Sequence, residues 1–201
     1  MKGEPLESLT DEQLVALTRT GNVDAFNKLA RRWESSVYRF THRTLGNPDD
    51  ARDVCQEAWI KAYRNIARLR EGAKFKSWVH HIALNLCRDR FRSAKVRGGA
   101  VSLDDAPTDQ VEGTGDERRR YTAAEAADSR SVREVLEMIL AELPSEQRTC
   151  LVLREYQGFN SEEIADITGV PAATVRTRIF YGLKAIRKLM DQRGLGAEDF
   201  R

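Results

Sequence analysis

Apolar residues recur every three or four positions along almost the whole chain, which is the period of an amphipathic helix. Leu14 and Leu17, closed by Gly21, outline a short first helix. Phe26, Leu29, Ala30, Trp33, Val37 and Phe40 give a longer second helix ending at Gly46. Asn47-Pro48-Asp49-Asp50 then restarts the pattern: the amide caps, proline suits the first helical position, and two acids meet the positive end of the helix dipole. This third helix should reach about Leu69, packing through Val54, Ala58 or Trp59, Ala62 and Ile66. After the break at REGAK, the stretch KFKSWVHHIALNLCRDRFR begins a fourth helix that should end near Arg97-Gly98-Gly99. No segment alternates with period two, so no sheet is expected and the fold class is all-α.

The pattern then lapses. From Gly98 to Glu117 the chain reads GGAVSLDDAPTDQVEGTGDE, with six acids, no base and few large apolar residues, the composition of a flexible linker. Helical spacing resumes by about Ser131 with Val132, Val135, Leu136, Ile139, Leu140 and Leu143, and stops at Pro144. Two small helical domains, 10–97 and 131–192, joined by a flexible acidic linker, 98–130, are therefore expected.

The sharpest local signal lies in the second module. In GFNSEEIADITGVPAATVRTRIFYGLKAIRKLM, Asn160 and Glu163 form a capping box, Ile164, Ala165 and Ile167 an inward face, and Gly169 a helix end with positive φ. Val170-Pro171 starts a second, longer and more basic helix with an apolar line at Val175, Ile179, Leu183 and Ile186. That arrangement describes a helix-turn-helix. Off the line stand Ala172, Ala173, Thr174, Arg176, Thr177, Phe180, Tyr181 and Lys184. Small residues at the start admit the backbone to a groove, while Arg176 and Arg178 reach phosphates or a guanine edge.

Charge adds a partner. The chain sums to +2, but residues 1–97 carry 19 basic against 12 acidic residues, a surplus of seven, next to an acidic middle. That half suits a polyanion. On its fourth helix Val79, Ile82, Ala83 and Leu86 gather on one side and His81, Asn85, Arg88 and Arg92 on another. The preceding Arg70, Lys74, Phe75 and Lys76, with Trp78, set aromatics beside bases, as single-stranded nucleic acid recognition requires, although Phe75 and Trp78 also suit a core. His80 and Cys87 share a third direction but lie about 10 Å apart along a helix, too far for one metal ion. The third helix instead exposes Asp50, Asp53, Gln56 and Glu57 near its start, a patch better suited to protein than to DNA.

Other chemistry finds no foothold. The chain has no glycine-rich phosphate loop, GxSxG, HExxH or DxDxDG, and its three histidines do not pair with carboxylates, so no enzyme, cofactor, metal or small-molecule substrate is expected. Cys55, Cys87 and Cys150 are scattered and read as small buried hydrophobes. No apolar run approaches the ~18 residues of a membrane span, and a cytoplasmic protein is expected.

In order and spacing these modules resemble the extracytoplasmic-function sigma factors of bacterial RNA polymerase, over about residues 10–97 and 131–190. DAFNKLARRW looks like the start of conserved region 2, DARDVCQEAWIKAYRNI like its core-polymerase-binding helix, and FKSWVHHIALNLCRDRFR like the segment that opens and reads the minus-10 element. LPSEQRTCLVLREYQGFNSEEIADITGVPAATVRTRIF is similar to region 4 of the sigma-E type. The resemblance implies that Asp50, Asp53, Gln56 and Glu57 meet core polymerase. It implies that Arg70, Lys74, Phe75, Lys76, Trp78, His81, Asn85, Arg88 and Arg92 hold the minus-10 single strand, the loop through Phe75 capturing a flipped base. Ala173, Thr174, Arg176, Thr177, Arg178, Tyr181 and Lys184 would then face the minus-35 duplex. It implies further an anti-sigma partner, often membrane-anchored, and control of a stress or envelope regulon. A free-standing regulator binding a palindrome as a dimer is the competing reading, and the absence of a dimerisation helix argues against it.

Overall fold

The computed structural model describes residues 6–97 and 132–195, and every regular element among them is helical. The expected linker, 98–130, lies outside the described residues. A first bundle holds α1 (Asp11–Arg19), α2 (Val23–Leu45), α3 (Pro48–Asn65) and α4 (Phe75–Arg97). A second holds α5 (Val132–Glu142), α6 (Ser145–Leu151), α7 (Ser161–Thr168) and α8 (Ala172–Gln192).

Local chemistry sets most of the boundaries. Thr10 and Gln13 close a capping box on α1, the Asn22 side chain caps α2, and Gly46 ends α2 at φ 73°. The Asn47 side-chain oxygen Oδ1 accepts from the N–H groups of Asp49 and Asp50 with Pro48 in the first turn, as the sequence implied. Helix α3 stops sooner than its pattern suggested. Two 3-10 turns, Ile66–Arg68 and Gly72–Lys74, replace its last turn and bury both Ile66 and Leu69. Gly72 presses on α1 so closely that a Cβ there would stand 2.9 Å from Glu12 Cα.

Small residues let the first bundle close. Ala51, Ala58, Ala62 and Ala83 are fully buried among Leu14, Val15, Leu29, Val37, Phe40, Val54 and Val79. Ala58, not Trp59, takes the inward position on α3. In the second bundle α6 runs on through a wider π turn, Val152–Tyr156, and packs on α8 at Gly182. A Cβ on Gly182 would meet Leu151 Cδ1 at 2.6 Å, so Gly182→Ala should cost about 1 to 3 kcal/mol of stability by forcing Leu151 aside. Chemical denaturation checks this, and an unchanged midpoint would show that Leu151 has room to move. The apolar line of α8 passes through Val175 and Gly182, while Leu183, expected on it, is 49% exposed.

One feature was not legible in the linear pattern. The two bundles share a continuous core in which Phe40, Val79 and Cys87 join Cys150, Leu153, Phe159 and Ile164. Helix α4 is therefore covered on two sides. Val79, Ala83 and Leu86 pack within the first bundle, and His80, Leu84, Cys87 and Phe91 form a second line by helical spacing. His80 meets Phe159 at 5.1 Å between ring centroids, and the Arg148 guanidinium lies 5.8 Å over Phe91.

Candidate nucleic-acid interface

The polar face of α4 forms a relay rather than a row of free groups. Asn85 Nδ2 donates to His81 Nε2 at 3.0 Å, and His81 Nδ1 donates to the Ile167 carbonyl at 2.8 Å. The carbonyl can only accept, so it sets the tautomer of His81. Arg88 Nη2 donates to the Thr168 carbonyl at 3.1 Å, and Lys76 Nζ to the Gln157 carbonyl at 2.7 Å. Arg92 is exposed and reaches Asp89 at 3.4 Å.

The loop before α4 divides. Arg70 and Lys74 are exposed, Lys74 beside Glu71 at 3.2 Å. Phe75 is not exposed at all: its ring stacks 6.5 Å from Trp59 and lies 6.0 Å from Trp78. The expected base capture by Phe75 is therefore corrected, because a ring sealed among aromatics offers no face to a base. Trp78 is half-buried and borders a groove of about 320 Å³ with Lys61, Asn65, Arg68, Ile82 and Asn85. Lys61, Asn65 and Arg68 were missed in the linear reading. The signal was present, since residues 61–70 hold four bases and no acid.

The helix-turn-helix forms as its caps require. The Asn160 side chain accepts from Glu163 N–H, the Glu163 side chain accepts from Asn160 N–H, and Gly169 takes φ 76°. On α8, Ala173, Arg176, Thr177, Tyr181 and Lys184 are exposed, and Thr174 is half-buried. Arg176 Nη1 lies 3.3 Å from Glu162, an exposed pair of little energetic weight. Arg178 is drawn off this face, with Nη1 2.6 Å from Glu146 and its side chain 25% exposed. Its expected place among the groove-facing residues is corrected accordingly. Phe180 and Leu183 add exposed apolar surface beside Tyr181.

On α3, Asp53 and Gln56 are exposed while Asp50 and Glu57 are half-buried. Arg90 of α4 bridges Asp50 at 3.3 Å and Asp53 at 3.4 Å, and Lys61 pairs with Glu57 at 3.0 Å. The patch thus carries less net charge than its sequence suggests. All three cysteines are free and buried, and burial pushes the Cys55 thiol up to about 11 and the Cys87 thiol up to about 12, which leaves both unreactive. Among the described residues no three histidine, cysteine or acidic side chains gather as metal ligands. No helix among them is long and apolar enough to cross a membrane.

Comparison with known proteins agrees with this geometry. The model of Sigma-70 region 2 matches residues 29–97, and that of Sigma-70, region 4 matches residues 133–186. The ECF RNA polymerase sigma-E factor of Escherichia coli (strain K12) is 32% identical over 90% of this chain and 94% of its own length. The RNA polymerase sigma-H factor of Pseudomonas aeruginosa is 30% identical over 90% of this chain and 93% of its own. Among solved structures, CnrH in complex with the cytosolic domain of CnrY has a TM-score of 0.65 at 21% identity, covering 90% of this chain and 97% of CnrH. The sigma factor RpoE in complex with the anti-sigma factor NepR from Bartonella quintana has a TM-score of 0.64 at 19% identity, covering 84% and 98%. With region 2 built from the first bundle and region 4 from the second, the chain belongs to the extracytoplasmic-function sigma factors of bacterial RNA polymerase.

Proposed function

We propose that this sigma factor docks on core polymerase through the exposed Asp53 and Gln56 of α3 and reads the minus-35 duplex with α8. The minus-10 strand is held along α4 and its groove, by Asn85, Arg88, Arg92 and Trp78 together with Lys61, Asn65 and Arg68 of the groove wall. The observation that carries the reading is the division of α8. It exposes Ala173, Arg176, Thr177, Tyr181 and Lys184 while burying Val175 and Gly182. The protein contributes no catalytic residue; it supplies specificity to the polymerase, acting in the cytoplasm. Control by an anti-sigma factor is part of the proposal, supported by the complexes of CnrH and RpoE, which share the fold.

Transcription with bacterial core polymerase and a promoter library tests the reading, and the absence of any promoter-specific transcript would sink it. Arg176→Ala should weaken promoter binding by about 1 to 3 kcal/mol at one base position of the minus-35 element. Equal weakening on all sequences would make Arg176 a phosphate contact instead.

A further inference from the structure

The reading face of α8 carries an acid that α8 itself does not supply. From Ala172 to Met190 the helix contains no acidic residue, and an acid beside DNA repels the phosphates it approaches. Yet Arg176 Nη1 lies 3.3 Å from Glu162 Oε1, and Glu162 belongs to α7. The neighbouring Glu163 is explained by the cap, since it accepts from the Asn160 N–H at 2.8 Å. Glu162 has no part in that cap. Its place in the first turn suits the helix dipole, but the dipole does not require a carboxylate aimed at an arginine of the next helix. The two side chains are 59% and 71% exposed, so the pair adds little to stability. What it sets is the direction of the guanidinium.

We propose that Glu162 is a positioning residue for base reading: it holds Nη1 of Arg176 and turns the edge formed by Nε and Nη2 toward the major groove, where that edge matches O6 and N7 of a guanine. The proposal rests on the reading of α8 as the minus-35 helix. Three observations support it.

First, the guanidinium is a planar fork, so an anchor on one terminal nitrogen fixes the plane and leaves a two-donor edge for a bidentate acceptor. Second, Arg178 is bound by Glu146, which makes Arg176 the cation that α8 turns outward in its first two turns. Third, the scaffold is stiff. Ile164 and Val175 are fully buried in one core, and Gly169 closes the turn between the two helices at φ 76°.

A loose arginine must give up rotamer freedom to read a base, and phosphates compete for it. The Glu162 carboxylate removes part of that ordering cost and draws the guanidinium away from the backbone. It also weakens binding to every sequence, because its charge repels phosphate. Removing it therefore moves discrimination and general affinity in opposite directions, which a merely structural role would not do.

The test forms holoenzymes from bacterial core polymerase and wild-type, Arg176→Ala, Glu162→Ala or Asp166→Ala protein. Each selects from a promoter library randomised across the minus-35 element, and fluorescence anisotropy then measures affinity for selected and random-sequence promoters. Arg176→Ala should erase the preference at one G·C pair. Glu162→Ala should weaken the preference at that same pair about two- to tenfold. It should bind the random sequence at least as tightly, with a salt slope steeper by about one as the freed Arg176 takes a phosphate. Asp166→Ala removes the same charge from an exposed position one turn along α7 and should leave the preference intact. Circular dichroism reports folding, and Glu162→Gln, which removes the charge at constant size, carries the same expectation if Glu162→Ala does not fold. Full preference at that pair in a folded Glu162 variant overturns the proposal, as does an equal loss in Asp166→Ala. If Arg176→Ala erases no preference, the reading of Arg176 fails with it. If Arg176→Ala erases the preference and the Glu162 variants keep it, only the role of Glu162 fails.

Discussion

Phe75→Ala should destabilise region 2 by about 3 to 5 kcal/mol, a large share of the ~5 to 15 kcal/mol that holds a domain of this kind together. The ring is fully buried at the start of α4, between Trp59 and Trp78, next to the turn that Gly72 presses against α1. Removing it loses the transfer energy of the ring and leaves a cavity that two indoles cannot easily fill. Phe75→Leu keeps most of the volume and should cost less than about 1.5 kcal/mol. Urea denaturation of both variants checks the ranking. A Phe75→Ala protein of normal stability that fails only in promoter opening would restore the base-capture role that burial removes.

Acidification should destabilise the folded protein through His80. Its ring is fully buried against Phe40 and Phe159, with Nδ1 donating to the Lys76 carbonyl at 2.7 Å and Ser36 and Gln157 near Nε2. Burial is the main cause that lowers its pKa from 6.5 to about 4, and the Lys76 ammonium adds to it, against the hydrogen bonds that raise it. Above pH 6.5 the ring is neutral whether the chain is folded or unfolded, and the full stability is present. Below that, the unfolded chain binds a proton that the folded one refuses until about pH 4. At about 1.4 kcal/mol per pH unit, stability falls by about 3 kcal/mol across that window and then levels. The comparison is denaturation midpoints against pH for wild type and His80→Gln. The variant removes the titrating group, so its slope should be shallower by one proton; parallel slopes would exclude His80 as the source.

His80 also shows where reading the linear pattern stopped. Helical phase placed it correctly in a direction shared with Cys87, and the distance along the helix excluded a shared metal site. What that direction faced was not available. The same holds for Phe75, Lys76, His81 and Arg88, whose composition suited nucleic acid and whose neighbours are in part protein. For Arg178 the competing partner is Glu146, 32 positions earlier in the chain. On α3 the acids were legible, but Arg90, which neutralises two of them, comes from another helix.

The amino-acid sequence by itself determined seven of the eight helices among the described residues to within about a turn, α6 (Ser145–Leu151) being the one it did not outline, together with the caps at Asn47 and Asn160, the glycine ends at Gly46 and Gly169, and the helix-turn-helix. These follow from backbone hydrogen bonding, side-chain caps and a 3.6-residue period, all of which act within a few residues. The family resemblance was legible for the same reason, since order and spacing survive without knowledge of contacts. Only the tertiary structure decided that regions 2 and 4 share one core, that α4 is covered on two sides, and that the end of α7 accepts hydrogen bonds from His81 and Arg88. Those contacts join residues about 80 positions apart, such as Arg88 and Thr168. No local rule relates such residues, because the energy that brings them together is burial and charge pairing between whole helices.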